Sequence, residues 1–206
     1  MQKLTEQNNK NSALEYDKIF LKRKENGIDE QDLKRWKKLL KFYKGGRLID
    51  LGCLDSEIPG LIKQRFPEAE VWGIDLAQQA ITQMQQKFPW VYYEVMDVYK
   101  TKYPDNYFGY IVAGELIEHL EFPEEFIKEG MRILRPGGIF ALSTPKEEIK
   151  DIGAIDKERH LWSFSEDDIE NLFSPYGSVK IEFLKSQYFP IYKYRFPTLI
   201  SWIKKY

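Results

Sequence analysis

The sequence predicts an α/β fold, a parallel doubly wound sheet with helices between successive strands. Two observations lead there. Short apolar runs recur over residues 48–51, 71–74, 91–95, 108–113 and 139–143, and segments with helical spacing of apolar residues lie between most of them. Several of these runs also close on an acid or a glycine: Asp50 with Gly52, Asp75, Asp97 and Gly114. Alternating strand and helix gives parallel neighbours, and the carboxyl ends of such strands are where ligands dock.

Residues 1–12 are polar and expected to fray, and a short helix over 13–24 follows, with Leu14, Ile19 and Phe20 as packing residues. Asn26-Gly27 marks a turn, and Asp29 can cap a helix over 30–43 whose apolar face holds Leu33, Trp36, Leu39, Leu40 and Tyr43. Its lysines and arginines form a stripe on the other face, read either as a solvated surface or as a polyanion contact. Gly45-Gly46 ends this helix, and Leu48, Ile49 and Leu51 form the first buried strand. At its end Gly52 lets the backbone approach a ligand closely, and a buried Asp50 requires a hydrogen-bond donor.

Helices are expected over 57–65, 77–88 and 124–134, with the strands named above between them. Asp75 lies about twenty residues past the glycine turn, the spacing at which a carboxylate meets a ribose diol. Arg135-Pro136-Gly137-Gly138 is a turn ahead of the fifth strand. Residues 146–159 are polar and expected to form a loop or lid over the carboxyl edge. Ser165 is a good N-cap for a helix ending at Phe173. A sixth strand is expected over 179–184, a seventh over 188–194, and a short terminal helix over 196–206.

Composition narrows the function classes. The 206 residues suit one domain with an appendage, and a net charge of −1 provides no global field for nucleic acid or anionic lipid. A single cysteine excludes an internal disulfide framework and fits a reducing, cytoplasmic setting. No run reaches transmembrane length, and the polar start lacks a signal-peptide core.

Taken in order, Ile49-Asp50-Leu51-Gly52-Cys53, Asp75, Asp97 and Leu134-Arg135-Pro136-Gly137-Gly138 resemble the motifs of the class I S-adenosylmethionine-dependent methyltransferases. The last is similar to a turn found in the small quinone and lipid O-methyltransferase branch. The resemblance spans roughly residues 40–185. It implies a Rossmann-like sheet of seven strands, mostly parallel with the last antiparallel, and helices on both faces. It further implies a methyltransferase domain over 45–206, with an N-terminal helical segment over 1–44 covering the cofactor site. S-adenosyl-L-methionine would be held by Asp50, Gly52, Cys53, Asp75, Leu76, Asp97, Val98 and Gly114. The chain departs from the family at Leu54 and Ser56, where glycines are usual, and at Gly109, where the fourth strand usually carries an acid.

The segment Glu115-Leu116-Ile117-Glu118-His119 and the later His160 fall where the family places residues facing the acceptor. His119, His160 and Glu115 are the candidate catalytic residues, an imidazole serving as general base for a hydroxyl acceptor. Glu115, Glu118, His119 and His160 also form a candidate site for Mg²⁺ or Mn²⁺, since carboxylates and imidazoles both ligate divalent ions. The same segment could equally do no more than shape the loop after the fourth strand.

The expected activity is methyl transfer to oxygen or nitrogen of a small-molecule acceptor. A metal-dependent RNA 2′-O-methyltransferase of the Hen1 type and a catalytically silent binding module are the alternatives. The near-zero charge argues against RNA. The aromatic C-terminal segment is expected to cover the sheet edge, line the acceptor pocket, form a homodimer face or touch a membrane through Leu199, Ile200, Trp202, Ile203 and Lys204-Lys205.

Overall fold

The computed structural model describes residues 2–3, 11–26, 30–146, 160–189 and 194–206. The expected cap at Asp29, most of the loop at 146–159 and part of the strand expected at 188–194 lie outside these.

Seven strands form one sheet in the order β4 (Tyr92–Val95), β3 (Glu70–Asp75), β2 (Arg47–Leu51), β5 (Phe108–Gly114), β6 (Leu134–Pro145), β9 (Tyr194–Lys205) and β8 (Gly177–Phe189). Every pairing is parallel except those of β9 with β6 and with β8. The predicted mostly parallel sheet with an antiparallel last strand is therefore present. A separate short pair joins β1 (Gln2–Lys3) to β7 (Trp162–Ser163).

Helices cover both faces. On one, α2 (Glu30–Leu39) and α3 (Ile58–Arg65) pack Trp36, Leu39, Ile58 and Ile62 against Leu48, Val71, Val112 and Ile200. On the other, α5 (Pro123–Ile133) and α6 (Glu166–Phe173) pack Phe126, Ile127, Met131, Ile169 and Phe173 against Ile49, Ile111, Phe140 and Leu199. Successive residues of one strand thus enter opposite layers, which is why these strands read as unbroken apolar runs. Ser165 caps α6 as expected: its hydroxyl accepts from the Asp168 backbone N–H at 3.2 Å while Asp168 Oδ2 accepts from the Ser165 N–H at 2.9 Å. Two further helices, α1 (Ala13–Asn26) and α4 (Gln78–Lys87), pack against one another at the β3 side of the sheet.

Three expectations are corrected. The terminal segment 196–206 is not a helix: it belongs to β9, inserted between β6 and β8, with Leu199, Ile200, Trp202 and Ile203 buried. Those side chains are therefore not offered to a membrane or a partner. The Lys205 ammonium folds back to donate to Asn106 Oδ1 and to the carbonyls of Met131 and Leu134. The Arg135–Gly138 turn does not precede the fifth strand but is taken into it as a bulge. Phe108 pairs with Leu134 and Tyr110 with Ile139, so Gly109 alone stands opposite that insertion. A Cβ at Gly109 would lie 3.2 Å from the Arg135 guanidinium, the group that fills the space where the family has an acid. Finally, α2 ends at Leu39 rather than Tyr43, and one of its cations, Arg35, is buried.

The sheet is tightly packed beneath the first turn. A Cβ at Gly73 would meet Tyr93 Cε1 at 2.5 Å and Cys53 Sγ at 3.1 Å. Gly73→Ala is expected to cost about 1–3 kcal/mol, the usual range for overpacking, as a lower midpoint in urea denaturation. An unchanged midpoint would show that Tyr93 moves aside freely.

Candidate active site

Strands β2, β3, β5 and β6 end along one edge of the sheet, and β2 and β5 flank the point where the strand order reverses. A cavity of about 380 Å³ opens there, a volume suited to one small-molecule ligand. Of the residues expected to bind the cofactor, Asp50, Gly52, Cys53, Asp75, Leu76, Val98 and Gly114 line it. Asp97 does not: it is exposed, and its Oδ1 accepts from the Tyr99 N–H at 2.9 Å, leaving Met96 and Val98 to form the wall beside it.

The first turn is shaped by Asp75, whose carboxylate accepts from the N–H of Leu54 at 3.0 Å and of Ala77 at 2.9 Å. Gly52 has φ +68°, the left-handed region that glycine enters without strain. Leu54 also has a positive φ, +33°. The chain keeps a left-handed backbone where the family has glycine, and the leucine bears the strain. Its side chain packs with Tyr16 against Phe20, Ala77 and Ala80. Ser56, the second departure, is buried; its hydroxyl accepts from the Ile58 N–H at 3.2 Å, and its side chain hydrogen-bonds Asp50. Burial pushes the Cys53 thiol well above its ordinary pKa, which removes it as a nucleophile.

Asp50 is the buried acid of this end. Burial pushes its carboxyl up to about 7, opposed by the Ser56 hydrogen bond, and its Oδ2 has no hydrogen-bond partner. Facing it from α2 is a pair that motif reading missed. Arg35 Nη2 donates to Asp32 Oδ1 at 2.6 Å, both residues are more than nine-tenths buried, and Arg35 Nε has no partner. Both line the cavity beside Trp36. Spacing carried the signal: Asp32, Arg35 and Leu39 fall at i, i+3 and i+7, so the ion pair shares a stripe with a core leucine.

The opposite end begins where β5 stops. Glu115 is held at φ +53° by hydrogen bonds to β6: its N–H donates to the Ser143 carbonyl at 3.0 Å, and Ser143 Oγ donates to its carboxylate at 2.8 Å. Non-glycine residues in this conformation cluster at functional sites. A single turn of 3-10 helix, Ile117–His119, then presents Glu118 and His119. Glu118 is 1% exposed and accepts from Thr144 Oγ1 at 3.0 Å. Burial, reinforced by the neighbouring Glu115 charge, holds its carboxyl well above the ordinary pKa. The Leu161 N–H donates to the Glu118 carbonyl at 2.7 Å, which brings His160 across to His119 with ring centroids 4.7 Å apart and nearly perpendicular.

Glu118, His119 and His160 each offer a ligand atom, all within 4.8 Å of one another. Glu115 is not part of that group. Its carboxylate lies against Ser143 instead. The four residues named from the sequence therefore divide into a cluster of three and a separate carboxylate.

A β-sheet of this order, with a cavity at its switch point and acids on its first two strand ends, is the arrangement of the class I S-adenosylmethionine-dependent methyltransferases, and the comparisons support that class for this chain. Residues 49–142 match the family model described as a methyltransferase domain. The chain is 26% identical over 110 residues to the ubiquinone/menaquinone biosynthesis C-methyltransferase UbiE of Desulfotalea psychrophila, covering 50% of this chain and 45% of that protein. It is 26% identical over 102 residues to the trans-aconitate 2-methyltransferase of Variovorax paradoxus, covering 50% of this chain and 39% of that protein. It thus spans less than half the length of these curated relatives. Phosphoethanolamine N-methyltransferase 2 of Haemonchus contortus, solved with phosphomonomethylethanolamine and S-adenosylhomocysteine, shares the fold with a TM-score of 0.72, at 15% identity over 92% of this chain and 58% of that one.

Proposed function

We propose that this chain transfers a methyl group from S-adenosylmethionine to an oxygen or nitrogen of a small acceptor. One observation carries the reading: a carboxylate oxygen, Asp50 Oδ2, and a guanidinium nitrogen, Arg35 Nε, are both buried without partners at one end of the cavity. A buried polar atom left unpaired costs about 1–3 kcal/mol, so such a pair calls for a ligand with an ammonium and a carboxylate. The amino-acid head of S-adenosylmethionine has both. Asp50 would take its ammonium and Arg35 its carboxylate, with Asp75 at the ribose and Leu76 and Val98 beside the base. Tyr16 and Ile19 of α1 and Trp36 of α2 line the same cavity, which supports reading the N-terminal segment as its cover.

The bound donor supplies a methyl group activated on a sulfonium. What the chain adds is position and a place for the proton. Glu115, His119 and His160 would face the acceptor. An imidazole there takes the proton of a hydroxyl acceptor, while holding the acceptor in line provides much of the rate. The likeness to trans-aconitate 2-methyltransferase supports a small acceptor, and a net charge of −1 speaks against RNA.

Titration calorimetry with S-adenosylhomocysteine is expected to show one site, with thermal stabilisation of several degrees at a hundredfold excess over Kd. Absence of both heat and stabilisation at millimolar ligand would leave the silent binding module as the better reading.

The cluster of Glu118, His119 and His160 supports a second element, a divalent ion on the acceptor side. One carboxylate and two imidazoles suit Mn²⁺ better than Mg²⁺, which prefers oxygen ligands. A bound ion would orient acceptor oxygens and ease loss of a hydroxyl proton. Mn²⁺ titration is expected to give a binding isotherm that His119→Ala abolishes; identical isotherms for both proteins would remove the metal.

A further inference from the structure

Leu54 joins the donor turn to helix α1. It stands in the left-handed region, at a cost of about 1–2 kcal/mol that glycine would not incur. What the leucine gains there is a contact: with Tyr16 it packs on Phe20, Ala77 and Ala80, a small cluster separate from the two cores.

The helix it touches leaves much of its apolar surface uncovered: Phe20 is its buried hydrophobic residue among the described residues, while Leu14 and Leu21 are 66% and 42% exposed. Asp17 Oδ1 also accepts from the Gln79 N–H at 2.8 Å. The same helix reaches the other end of the cavity. Tyr16 stands edge-on to His119 with centroids 6.2 Å apart and donates to Asn11 Oδ1 at 2.8 Å, and Asn11 Nδ2 donates to the His119 carbonyl at 2.9 Å. One element therefore touches the donor turn at Leu54 and the acceptor side at His119.

We propose that Leu54 is a positioning residue: donor binding fixes the turn, Leu54 then docks α1 through Phe20, and α1 sets Tyr16 and Asn11 against His119. The consequence is ordered binding, with the donor preparing the acceptor side. Such coupling is a differential affinity between docked and undocked α1. The inference rests on the donor reading given above.

Hydrogen exchange of residues 13–22 tests it, with and without saturating S-adenosylhomocysteine. In the wild type the ligand is expected to slow exchange there at least tenfold. Phe20→Ala lies outside the cavity wall and is expected to bind the ligand within threefold of wild-type affinity while losing the slowing. Leu54→Gly is expected to lose it as well at saturation, and Leu54→Met to restore it. Full slowing in Phe20→Ala or Leu54→Gly, or none in a wild type that binds the ligand, overturns the latch alone. A wild type that binds no ligand overturns both the latch and the methyltransferase reading. Should Leu54→Gly fail to fold, Phe20→Ala decides the matter from the helix side.

Discussion

Replacing Arg35 by methionine is expected to weaken S-adenosylhomocysteine binding by about 30- to 1000-fold, the 2–4 kcal/mol typical of truncating one partner of a buried charged contact. Arg35 is the cation that faces both Asp50 and Glu118, and its Nε is free of other partners while Nη2 is committed to Asp32. Methionine keeps the length of the stem and removes the charge. It also strands Asp32, 4% exposed, without its guanidinium, which by itself lowers stability. The double variant Asp32→Asn, Arg35→Met removes that second effect. Calorimetry on the double variant, with urea denaturation of the free protein beside it, separates the two. Weak binding with near-normal stability assigns Arg35 to the ligand. Affinity within threefold of wild type would make the pair a structural strut between α2 and the sheet.

Arg35 also marks the limit of what the chain discloses in one dimension. The central parallel strands were legible because they bury both faces and so appear as apolar runs, and Asp50 and Asp75 stand at the ends of two of them. The same property misled at the terminus. Leu199 to Ile203 is apolar but for Ser201 and does not alternate, a pattern that a buried strand and a buried helix share, and only insertion between β6 and β8 decides for the strand. Leu54 and Ser56 could be recognised as departures from the glycine pattern. That the backbone at 54 keeps the glycine conformation, and that the side chain turns to α1, depends on contacts far apart in sequence. His119 and His160 lie 41 positions apart (160 − 119), and the hydrogen bond from Leu161 to the Glu118 carbonyl that joins them is a tertiary fact. The charge of Arg35 and the stripe it shares with Leu39 were readable; that this stripe faces Asp50 across the cavity was not.

Donor affinity is expected to rise about tenfold per pH unit up to neutrality and then level, because the ligand's ammonium favours ionised Asp50. Burial pushes that carboxyl up to about 7, with the Ser56 hydrogen bond and the Arg35 charge pulling down and Asp75 pushing up. The sign for the free protein is opposite. A carboxyl whose folded pKa is raised from about 4 adds stability that is whole below about 4 and is lost as the pH climbs through about 7. Ligand binding restores what ionisation removes, so stabilisation by S-adenosylhomocysteine should be larger near pH 7.5 than near pH 5.5, while the free protein melts lower at the higher pH. Asp50→Asn preserves shape and cannot ionise; it should bind weakly with a flat profile and lose the acid-side gain of the free protein. His119→Ala should keep the wild-type slope, since its imidazole lies at the acceptor end. A wild-type Kd equal at the two pH values would detach Asp50 from the ligand, and a slope that survives in Asp50→Asn would move the titration to Asp75, the other buried acid of the turn, whose carboxyl burial also raises.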